Sequence, residues 1–196
     1  MVILQGRGDH TTPTYVCMYS IRIGREARAG ENRTNRQANM KVYPYCISTV
    51  TTQKSIENLL EASGAGSYRD EHPWIVAREF LDRAVEGSAV FPILFATGDP
   101  LRISYWSTIK RLDVHEFRKG IWQTACDFDM LREANPIWSN LDSVTLKASD
   151  DQLRRERLEG VRTHRYQLDA HHIRPYAICE TPPFILALGE PVEVVV

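Results

Sequence analysis

A chain of 196 residues, 43% of them hydrophobic, is long enough to bury one substantial core and too apolar to stay unfolded. Its formal charge of −1 excludes a global field that gathers polyanions, so any nucleic-acid contact must use a local basic face. No apolar run approaches the ~20 residues of a membrane helix and the N-terminus does not read as a secretory signal, so the expected address is the cytoplasm. Cys17, Cys46, Cys126 and Cys179 are scattered without metal- or redox-motif spacing, and are expected to be reduced and mostly buried.

Residues 1–39 read as a basic extension with little core. Arg7, Arg22, Arg25, Arg28, Arg33 and Arg36 stand against only Asp9, Glu26 and Glu31, and a strand pattern occurs only at 15–23. A basic arm, a processed presequence and residues upstream of a start at Met40 are the alternative sources of such a segment. Residues 40–196 are expected to form a single α+β domain.

Within that domain 42–50 alternates, with Tyr43, Tyr45, Ile47 and Thr49 on one face and Pro44 marking an edge or bulge. Thr52 is placed to cap a helix running to about Ala62. A second helix begins at Pro73, with Val76, Ala77, Phe80, Leu81, Ala84 and Val85 as its buried stripe. The apolar run 90–96 reads as a strand buried on both faces. A Thr97-Gly98-Asp99-Pro100 turn joins it to an alternating strand over 101–114, in which Trp106 falls on the more polar face.

Further on, Asp127 is placed to cap a short helix ending before Pro136, and 144–147 is a weak strand. Ser149-Asp-Asp-Gln152 is a capping-box pattern opening a helix that Gly160 ends. Strands are expected at 161–168, 172–178, 184–188 and 192–196. This order points to α+β with a strongly bent or closed sheet.

The segments Phe91-Pro-Ile-Leu-Phe-Ala-Thr97 and Ile103-Ser-Tyr-Trp-Ser-Thr-Ile-Lys-Arg-Leu-Asp-Val114, with the helix before them, resemble the PUA-like superfamily, in particular its EVE and ASCH branches. The resemblance spans residues 40–196 at its widest. It implies a small mixed, barrel-like sheet flanked by helices. It also implies binding of RNA or of modified DNA bases in a pocket walled by aromatics, and does not by itself imply catalysis.

Four constellations carry candidate chemistry. Trp106, Trp122 and Trp138, with Tyr105 and Tyr43, suit base stacking at about 1–3 kcal/mol per base, and equally suit a core. Arg154, Arg155, Arg157, Arg162 and Arg165 suit phosphates, but Asp150, Asp151, Glu156 and Glu159 interleave with them, so a self-paired helix face is expected. Asp169-Ala-His-His-Ile-Arg-Pro175 resembles the opening of an HNH nuclease motif whose downstream Asn and His are missing. On a strand, His171 and His172 are expected to point to opposite faces. Asp113, His115 and Glu116 have the spacing for acid–base work and for an ordinary polar loop.

The reading that follows is a nucleic-acid binding module for a modified or extruded base, without cofactor, metal or membrane. Trp106 is the expected stacking platform, Trp122 or Trp138 the opposing wall, and Tyr43 a further aromatic. Ser104 or Thr97 reads a base edge, and Arg102 and Lys110 meet phosphate. One alternative is a small metal-dependent hydrolase or nuclease using Asp113, His115 or His171. The other is an interaction subunit whose arginine-rich arm docks on an acidic partner.

Overall fold

The computed structural model describes residues 40–62 and 65–191. The basic extension with its expected strand at 15–23, Cys17, and the strand expected at 192–196 lie outside the described residues.

The first strand is broken by Pro44, which has no amide hydrogen with which to continue a ladder. Its halves, β1 (Lys41–Val42) and β2 (Tyr45–Val50), both run parallel to β4 (Ala89–Thr97). β5 (Arg102–Arg118) is antiparallel to β4 along its first half and to β6 (Ile121–Phe128) along its second. β3 (Gly66–Asp70) borders β6, and β7 (Arg132–Glu133) lies beside β5. β8 (Tyr176–Glu180) borders β2, and β9 (Glu190–Pro191) borders β1. Among the described residues this is one mixed sheet of nine strands. The expected small barrel is therefore corrected: the sheet is large, and no ladder closes it.

Helices α1 (Gln53–Glu61) and α2 (Ile75–Glu86) cover one face. Ile56, Leu59, Ala77, Phe80, Leu81 and Ala84 pack there on Ile47, Phe91, Ile93, Phe95, Leu112 and Phe128. The α1 helix starts where expected, because the Thr52 hydroxyl accepts the Ser55 amide at 3.1 Å. It lies so close to β3 that a Cβ on Gly66 would overlap Leu59. The α2 stripe is narrower than expected, since Val76 and Val85 are exposed.

The other face is covered by the C-terminal third of the chain. Val144, Leu168, Ile173, Phe184 and Ile185 pack there on Cys46, Leu94, Ala96, Ile103 and Trp106. Two covered faces explain why 90–96 is continuously apolar: its residues feed the two cores alternately. Each such side chain contributes about 1.5–3 kcal/mol on full burial. Cys46, Cys126 and Cys179 are buried free thiols.

Pairing also overrides three local expectations. Instead of Asp127 opening a helix, residues around it complete β6 between β3 and β5. Residues 161–168 form only an isolated bridge at Gln167, because their polar groups serve loop contacts. Residues 183–186 form a short helix rather than a strand, with Pro183 at its first turn. The helix at Asp150–Glu159, called α3 below, has the capping box between Ser149 and Gln152 that its sequence predicts, and the left-handed Gly160 ends it.

Candidate functional site

The path through the sheet from β3 to β2 crosses β6, β5 and β4. Even so, the Tyr68 hydroxyl on β3 donates to the Val50 carbonyl at the end of β2, at 3.2 Å. The sheet has curled until its free edge meets its own middle. The gap left open is a cleft of about 700 Å³ lined by Thr52, Ser55, Tyr68, Asp70, His72 and Arg174, with Pro175 beside them. Its size falls within the ~300–1,000 Å³ of small-ligand sites.

One wall is an acid, an imidazole and a phenol held in series. Asp70 Oδ1 accepts the His72 amide at 2.6 Å and lies 2.7 Å from His72 Nδ1, while Asp70 Oδ2 lies 3.3 Å from the Tyr68 hydroxyl. Burial pushes the Tyr68 phenol up to about 12, with the Thr49 hydroxyl opposing and the Asp70 charge adding, so it remains a donor. The loop is pinned from behind. Buried Thr124 donates to the His72 carbonyl at 2.6 Å and accepts the Trp74 amide at 3.3 Å. His72 Nδ1 is turned to Asp70, and the side chain is 62% exposed.

The opposite wall is positive. The α1 N-terminus opens there, and its first-turn amides lack intrahelical acceptors. The Thr52 and Ser55 hydroxyls sit at that terminus, 2.7 Å apart. Arg174 is exposed and makes no ion pair among the described residues. Behind the cleft, Trp74 lies 5.7 Å from Tyr68 and 4.8 Å from Tyr176, ring centre to ring centre. Its indole N–H has no acceptor among the described residues. Tyr176 is half-buried there, and its phenol is pushed up chiefly by burial.

The expected aromatic cage is not formed by the tryptophans named from sequence. A bulge at Ser104 lets Phe95 pair with Tyr105 and Ala96 with Ile103, which shifts the phase of the strand. Trp106 therefore shares a core with Ile103 and is only 4% exposed. Its ring is covered by Phe184 and by the Arg132 guanidinium, 4.9 Å from the ring centre. Trp138 packs on the same Phe184. Trp122 sits apart, half-buried on β6 opposite Glu116.

Tyr43, Thr97, Ser104 and Lys110 are likewise engaged. Tyr43 is buried among Tyr45, Phe80 and Phe91. The Thr97 and Ser104 hydroxyls satisfy each other at 2.7 Å. Lys110 pairs with Asp129 at 3.1 Å, whereas Arg102 meets Asn140 through the backbone only and its side chain is exposed.

Of the basic set, Arg165 binds Glu156 and Glu180, and Arg162 also reaches Glu180. His171 and His172 lie in a turn, not on a strand, and both are exposed, their amides accepted by Asp169 at 2.8 Å each. Asp113 and His115 share a second recess of about 440 Å³ with Arg69, Arg78 and Arg111. There Arg111 pairs with Asp113 and Arg78 with Asp82, which neutralises much of its charge. His171 is not part of that recess. Among the described residues no three His, Cys, Asp or Glu side chains converge to hold a metal, and no helix is long and apolar enough to cross a membrane.

Asp70 and His72 carried one local signal, an Asp-x-His-Pro run that closes a strand with an Asx turn before a helix. Nothing local linked it to Ser55 or Arg174. Comparison with protein-family models, with curated proteins and with solved structures finds no match for this chain.

Proposed function

We propose that the protein is a nucleic-acid binding module that takes one nucleotide of a single or locally opened strand into the cleft between β3 and β8. The observation that carries this reading is the polarity of the cleft. Arg174 and the α1 N-terminus form an anion-binding end suited to a phosphate. Tyr68 and His72 offer ring surfaces to a base, and the bonded pair of Thr52 and Ser55 hydroxyls keeps one O–H donor and free lone pairs for its edge. The reader function is thus placed on residues other than Trp106, Trp122 and Trp138. The PUA-like resemblance, carried by residues 91–97 and 103–114 and the helix before them, stays part of the proposal.

The test is fluorescence anisotropy with labelled single-stranded, duplex and base-modified oligonucleotides over a range of salt. Binding should weaken with salt, and Arg174→Ala should lower the slope by about 1, the value for one lost phosphate contact. Wild-type protein without salt-dependent affinity for any of these ligands overturns the proposal.

A further inference from the structure

The β5–β6 hairpin extends beyond every neighbour it has. β4 makes its last pair with β5 at Ile109, and β3 makes its last pair with β6 at Thr124. Residues 115–123 therefore form a two-stranded ribbon, reaching about 10 Å past the end of β3 at ~3.3 Å per residue. A lone ribbon is marginal in water, and the apolar residues at its tip stay mostly exposed. Phe117 is 64% and Ile121 55% exposed.

The tip is built to present these groups. A register shift between Glu116 and Arg118 leaves Phe117 without a cross-strand partner. The turn is fixed by Gly120, at φ 76°, whose amide donates to Glu116 Oε1 at 2.6 Å. That contact occupies Glu116, the one carboxylate within residues 115–123. Arg118 lies 5.5 Å from the centre of the Phe117 ring, and neither Arg118 nor Lys119 makes an ion pair among the described residues. The arm also leaves the sheet beside the cleft, since Val114, Thr124 and Asp70 lie in one cross-strand row.

Resting on the cleft reading above, we propose that this ribbon is an arm that holds the single strand flanking the nucleotide in the cleft. Phe117 stacks on a flanking base, and Arg118 and Lys119 meet the phosphates on either side. An exposed aromatic followed by two cations that make no ion pair among the described residues suits a chain of rings and anions.

The experiment measures affinity for fluorescein-labelled thymidine and uridine oligonucleotides of one to eight residues. Wild-type affinity should rise with length. Phe117→Ala should remove on the order of tenfold of that rise while leaving single-nucleotide binding unchanged. Joint replacement of Arg118 and Lys119 by Ala should lower the salt slope by about 1.4, the value for two phosphate contacts on a single strand. All these positions are exposed, and unchanged melting curves establish that the variants fold.

Single-nucleotide binding with no length dependence, or variants equal to wild type at every length, overturns the arm and leaves the cleft reading standing. Absence of binding at every length overturns both. Phe117-dependent sedimentation with phosphatidylserine vesicles, without any effect on oligonucleotides, overturns the proposal in favour of a membrane surface.

Discussion

The Tyr68 hydroxyl and the Val50 carbonyl oxygen, 3.2 Å apart, join two strands that no ladder connects. A closed barrel would fill this position with backbone hydrogen bonds and leave no cavity. One side chain bridging the gap holds the edges together while keeping the space beside it open. Tyr68 therefore serves both the closure of the fold and the floor of the cleft.

Replacing Tyr68 by Phe keeps the ring and removes the bridge. The expected loss is about 0.5–1.5 kcal/mol in urea unfolding, the net value of one hydrogen bond. Oligonucleotide affinity should fall as well, because Asp70 loses its neighbouring donor. Unchanged stability and unchanged affinity together would contradict the role given to this contact.

Thr124 sits behind the His72 loop, fully buried, with both of its hydrogen bonds directed to loop backbone. Thr124→Val preserves shape and leaves the His72 carbonyl and the Trp74 amide without their partner. The expected cost is about 1–3 kcal/mol. Hydrogen exchange should accelerate at residues 72–74 before it does so in β4. Equal exchange in the two regions would show that the loop is held by something else.

The docking of α3 onto β8 depends on charge. Arg165 donates to Glu156 Oε2 at 2.9 Å and to Glu180 Oε1 at 3.1 Å. With the Thr163 hydroxyl and amide it holds Glu156 at about 2, against 4.5 for an ordinary glutamate. The folded value lies below the unfolded one. This contribution is therefore complete above about pH 4.5 and is lost as pH falls through about 2. Glu156→Gln should flatten the acid limb of a stability-versus-pH curve over that window. A curve of unchanged shape would mean that the pair does not couple to folding.

Trp106 offers the converse measurement. Truncating it to Ala beside Phe184 and Ile103 should cost about 3–5 kcal/mol of stability, as for other buried aromatics. Affinity of the fraction that remains folded should be unchanged. Lost affinity with an intact melt would return Trp106 to the binding surface.

What the sequence determined by itself was the set of features decided within a few residues of each other. The Thr52 cap, the Ser149–Gln152 box and the left-handed Gly160 follow from side chains bonding neighbouring amides. The β4–β5 hairpin follows from an apolar run and an alternating run joined by a turn. Tertiary structure decided the rest. Residues 66–70, Gly-Ser-Tyr-Arg-Asp, carry no apolar stripe and are a strand only because β6 offers them an edge. One extra residue at Ser104 turns Ile103 onto the face of Trp106, and the C-terminal third covers that face. The cleft unites Thr52 and Ser55, Tyr68 to His72, and Arg174, segments that meet only because the sheet curls. Local bonding is written in neighbouring residues, whereas a cavity between sheet edges depends on the summed twist of every strand between them.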